Sequence, residues 1–233
     1  MKQQKGATLI TVLVILIVIT LLGTIAVKMG IVGLKIATNS QVNALLLENS
    51  DSALFNIENP AEVERQLALD GMFAYFNSSA NANDELVFCY RASENSFFKL
   101  SKASAITEDG STTKIGVDGF CKANQFAMGR SAVLSQVYLT KSSTASAPFS
   151  SVPKGTSLGQ SNVPATTNNI GATVISVLPS FAGATTTQIE NCFKQRASAV
   201  GACFDGLGIP YNMQHSDYVV GGQPKLMKLM KLI

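Results

Sequence analysis

The chain has 233 residues, 46% of them apolar, with 18 Lys and Arg against 15 Asp and Glu. Lys2, Lys5 and Lys28 flank a single apolar run; without them the two signs balance at 15 each, which argues against a protein whose main task is holding nucleic acid through a broad basic face. His215 is the one histidine, so no second imidazole exists to share metal or proton-shuttle work.

In chain order, residues 1–6 form a short basic leader ending at Gly6. Ala7 to Val27 follows without a charge, and as a helix it spans about 31 Å, the thickness of a hydrocarbon core. Residues 7–28 therefore read as a transmembrane helix, or as a secretory signal cut after Ala26. Lys2 and Lys5 place its N-terminus on the cytoplasmic side, with everything beyond Val27 exported. From 29 to 58 the periodicity continues the helix in amphipathic form. Ile31, Val42, Leu45, Leu46, Ala53 and Ile57 fall within an arc of about 120°, interrupted by Lys35 and Asn49.

Asn59-Pro60-Ala61-Glu62 carries a cap, a first-position proline and a capping-box acid, predicting a helix to about Phe76. ELVFCY, SFFKLS, TTKIGV, SAVLSQVYLT (131–140) and GATVISVLP read as strands between turn signals, and TQIENCFKQRAS as a short helix. Residues 141–169 are rich in Ser, Thr, Pro and Asn, have no acid, and read as a flexible loop. In the tail, Lys225, Lys228 and Lys231 recur every third residue among Leu, Met and Ile up to Ile233, which reads as a last edge strand, a frayed end or a membrane-surface foot. Residues 59–233 thus form one exported α+β domain.

Cys89, Cys121, Cys192 and Cys203 suit an oxidising compartment and can pair in three ways; loop-closure entropy favours Cys89 with Cys121 and Cys192 with Cys203. No catalytic constellation emerges. Gly155-Thr156-Ser157-Leu158-Gly159 has the G-x-S-x-G spacing of a hydrolase elbow, but its flanks are coil rather than strand and helix. No phosphate loop, calcium loop or zinc spacing occurs, and no cofactor is expected.

The opening residues carry a resemblance. A six-residue basic leader ending in Gly6, set directly against a spanning helix that continues as an amphipathic one, resembles a type IV prepilin. The run KGATLITVLVILIVITLLGTIA is similar to the start of PilX-type minor pilins. Thr11 stands where major pilins carry a glutamate, a departure shared with the type II secretion pseudopilin GspK. The resemblance covers roughly residues 1–55.

It implies cleavage between Gly6 and Ala7 by the prepilin peptidase and N-methylation of Ala7. It also implies a pilin-like fold, with the long helix packed on an antiparallel sheet. The missing carboxylate at Thr11 removes the partner of a preceding subunit's N-terminal amine, which implies a place at the tip of the fibre. The expected partners are other minor pilins, the major pilin, the inner-membrane assembly platform and membrane lipid. The expected function is priming of pilus assembly, and through it twitching motility, adhesion and DNA uptake. A secretion pseudopilin, a pilus-tip adhesin and an unrelated signal-anchored periplasmic protein remain as alternatives.

Overall fold

A computed structural model describes residues 7–59, 62, 66, 71–94, 98–112, 114–116, 118–129, 132–142, 167–181 and 183–221. The chain divides into two compact units, Met1–Ala44 and Leu45–Ile233. A single 51-residue helix, α1 (Ala7–Ile57), supplies the described part of the first unit and opens the second. Uncharged from Ala7 to Val27, it has no proline and no glycine pair to break it.

The second unit is built on a five-stranded antiparallel sheet of order β2-β1-β3-β4-β5. Its strands are β1 (Glu85–Tyr90), β2 (Ser104–Ile106), β3 (Leu134–Lys141), β4 (Thr167–Val177) and β5 (Tyr211–Gly221). Both faces are covered, which is why β1 reads ELVFCY as a near-continuous apolar run rather than an alternating one. Leu86, Phe88, Val137, Leu139, Ala172 and Val174 pack with Ala53, Leu54 and Ile57 of α1 and with the short α2 (Met72–Tyr75). The opposite face packs Val87, Tyr138, Ile175 and Val177 against α3 (Thr186–Phe193) and α4 (Ala197–Leu207).

Buried hydroxyls join the first layer to the sheet. Ser50 Oγ donates to Ser176 Oγ at 2.7 Å, and Ser176 Oγ lies 2.7 Å from Ser135 Oγ. Asn49, an interruption of the stripe by sequence, is instead fully buried; its Nδ2 donates to Leu45 O of its own helix at 2.8 Å. Ile31, counted in the stripe, is exposed, whereas Leu46, Ala53 and Ile57 are buried as the pattern predicts.

Other expectations need correction. SFFKLS is not a strand: the described part contains a 3-10 turn, Leu100–Lys102, and the strand beyond it is β2. TTKIGV is not a strand in its described residues either, because Gly116 turns the chain at φ +44°, at a point where a Cβ would collide with the Ala103 carbonyl. TQIENCFKQRAS holds two helices, parted at Lys194–Arg196. α3 starts on a capping box between Thr185 and Gln188, and α4 ends where Gly208 takes the left-handed conformation at φ +68°. β3 and β4 reach into the expected 141–169 loop at Lys141 and from Thr167. Residues 143–166, half of the helix expected from Asn59 to Phe76, and the lysine tail lie outside the described residues. In the described half that helix is not continuous, because Gly71 is extended at φ −88° and ψ 170° and α2 starts afresh after it.

Candidate functional site

The candidate site lies on the N-terminal part of α1. The helix is described from Ala7 onward, and Gly6 lies outside the described residues. Thr11 sits one turn into α1, in an exposed stretch. From Leu9 to Ile36 every large apolar side chain of the helix faces outward, among them Leu13, Ile17, Leu21 and Ile25. Two threonine hydroxyls in this stretch bond back to their own helix: Thr20 Oγ1 donates to Ile17 O and Thr24 Oγ1 to Leu21 O, each at 2.8 Å. Such a surface is costly in water, and by length and composition the helix can cross a membrane or serve as a signal. Lys28 and Lys35, both exposed, mark the end of its uncharged part.

The cysteines form two disulfides, Cys89–Cys121 and Cys192–Cys203, 32 and 11 residues apart. The first ties β1 to the turn after residue 118. The second closes α3 onto α4, the helix pair that covers one face of the sheet. The disulfides and the α+β layout thus follow the sequence expectation, including the pairing that loop entropy favours.

Sequence reasoning missed a polar clamp formed by Arg196. Its Nε lies 3.2 Å from Glu85 Oε1, and its Nη1 donates to Thr107 O at 3.0 Å and Asn83 O at 3.3 Å. The other Glu85 oxygen accepts from the backbone N–H of Ala197 at 2.8 Å, so a carboxylate from β1 caps the N-terminus of α4. The only signal in the sequence is a glutamate opening an otherwise apolar strand, which reads equally well as a strand boundary.

Beside this clamp lies an open polar cleft of about 600 Å³, lined by Asn83, Asp84, Glu108, Asp109 and Lys114 among others. Lys114 Nζ bonds Asp84 Oδ2 at 2.6 Å, and the Tyr75 hydroxyl donates to the same oxygen at 2.6 Å. Burial, then that bond, pushes the Tyr75 phenol well above its ordinary range. Thr107 and the Ser111 N–H hold Asp109 below the usual carboxylate range. Among the described residues, no three His, Cys, Asp or Glu side chains are grouped to hold a metal ion. The G-x-S-x-G match lies outside the described residues, and His215 stands on β5.

Comparison with family models, curated proteins and solved structures finds no match for this chain.

Proposed function

We propose that the chain is a minor pilin of a type IV pilus. It is first anchored in the inner membrane with its N-terminus cytoplasmic and its disulfide-bonded domain periplasmic, then carried at the pilus tip. The observation that carries this reading is the surface of α1. From Ala7, the first described residue, the helix runs unbroken to Ile57, and its large apolar side chains face outward from Leu9 to Ile36. Cleavage of the Gly6–Ala7 bond would leave that whole surface on the mature chain, ready to move from lipid into the core of a fibre.

Thr11 would set the position in the fibre. A buried carboxylate near the helix start offers a counter-ion to the amine of a preceding subunit; a threonine offers none. The chain can then accept subunits behind it and has little electrostatic reason to dock behind one. The role is structural, in a priming complex with other minor pilins and the major pilin.

The test is the intact mass and N-terminal sequence of the protein from membranes. An N-methylated Ala7 start is expected; a Val27 start or an uncut Met1 would sink the reading. For the position, immunogold labelling is expected at fibre ends in the native chain and along the shaft in Thr11→Glu. Labelling of both chains along the shaft removes the tip assignment.

A further inference from the structure

We infer that His215 and Asp217, on the exposed side of the edge strand β5, form a two-ligand site for a tetrahedral divalent metal ion of the zinc class. This goes beyond the proposed pilin role and does not depend on it. The two residues are alternate positions of one strand, so both side chains leave the same face. Each is about half exposed, 52% and 48%. Across the sheet, His215 lies opposite Thr173 and Asp217 opposite Gly171.

Two distances define the site. His215 Nδ1 is 2.9 Å from Thr173 Oγ1, and His215 Nε2 is 3.5 Å from Asp217 Oδ1. A Cβ on Gly171 would come within 2.9 Å of His215 Cε1 and 3.3 Å of Asp217 Oδ1, so the glycine leaves room for the two side chains to converge over β4. In the tautomer whose Nδ1–H donates to the Thr173 hydroxyl, Nε2 turns its lone pair to the Asp217 carboxylate, and the two acceptors then have room for a cation between them. With the proton on Nε2 instead, the metal must displace it.

Geometry selects the cation. Zinc bonds imidazole nitrogen and carboxylate oxygen at about 2.0–2.2 Å, and a tetrahedral angle then sets the two donors about 3.4 Å apart. The observed 3.5 Å is that edge. Magnesium requires octahedral angles and oxygen donors, with a shorter edge of about 2.9 Å. Thr173 plays the part of the outer group that fixes the tautomer and orientation of a ligating histidine. The other two corners face solvent, so binding is modest and needs both side chains.

His215 is the sole histidine, which makes the test direct: the full chain in detergent micelles, labelled with 13C-histidine, shows one set of ring signals. Submillimolar zinc chloride is expected to shift them saturably, and magnesium chloride to leave them unmoved. In a zinc-indicator competition, His215→Gln should abolish this binding. Asp217→Asn should weaken it at least about tenfold, and Thr173→Val about tenfold, the usual loss for an outer-shell partner. All three positions are at least partly exposed, and circular dichroism checks that the variants stay folded. An unresponsive ring overturns the inference. So does zinc binding that survives His215→Gln, or equal affinity in Asp217→Asn, which would mark a lone imidazole.

Discussion

Arg196 holds two turns and a strand with one guanidinium, and Glu85, its partner, is 6% exposed. Replacing the arginine leaves a buried carboxylate with one remaining donor, the Ala197 N–H. Arg196→Met should therefore cost about 2–3 kcal/mol, read as a lower denaturant midpoint at unchanged slope. Adding Glu85→Gln should recover part of that loss, because the stranded charge is then gone. The tyrosines make a second residue-scale prediction. Burial first, and then nearby acids, raise the phenols of Tyr75, Tyr138, Tyr211 and Tyr218 above 10.0. A phenol raised on folding contributes stability that is complete below the unfolded value of 10.0 and lost as pH climbs through the folded one. With no tryptophan to obscure it, tyrosinate absorbance in the native chain should lag free tyrosine, then appear together with unfolding. A titration curve equal to that of free tyrosine would contradict the buried hydroxyls.

Each disulfide closes a different element pair, and the two should not be worth the same. Removing either by paired Cys→Ser should cost about 2–5 kcal/mol. The bridge over 32 residues should contribute about 1 kcal/mol more than the one over 11, from loop entropy alone. Equal midpoint shifts in chemical denaturation would count against the entropic account. The elements also show what the sequence could announce. β1, β3 and β4 were legible because they are central strands covered on both faces, and such strands are mostly apolar, with buried Ser135, Gln136 and Ser176 as the hydrogen-bonded exceptions. β5, YNMQHSDYVVG, was missed because an edge strand needs no apolar signature, and β2 because three residues carry no period. α4 hid behind Gly201 and Gly206, whose low helix propensity argues against it; Gly201 lies so close to the Tyr211 ring that a Cβ would come within 2.9 Å of its hydroxyl. In the candidate site, the Gly6–Ala7 junction and Thr11 are legible because they are local. The pairing of His215 with Thr173 is not, since only the β4–β5 register brings together residues 42 apart.

For the whole molecule, the division at Ala44 and Leu45 separates a lipid-compatible surface from a disulfide-bonded core. A chain starting at Leu45 should unfold cooperatively without detergent, while the full chain should need detergent to stay dispersed; loss of the cooperative transition on truncation would contradict that division. A last consequence follows from how β3 and β4 meet. Lys141 pairs with Ile170, and the Ser142 N–H donates to Asn169 O at 2.9 Å, so the strands are stitched together at the point where the chain departs between them. The register specifies where the intervening segment must start and finish, and says nothing about its length. Doubling it costs only about 0.6 kcal/mol of closure entropy. The gap between Ser142 and Thr167 is therefore a splice point, where added length leaves the β3–β4 register as it is. Splicing in a Gly/Ser stretch as long as the native segment should move the denaturation midpoint by no more than that amount.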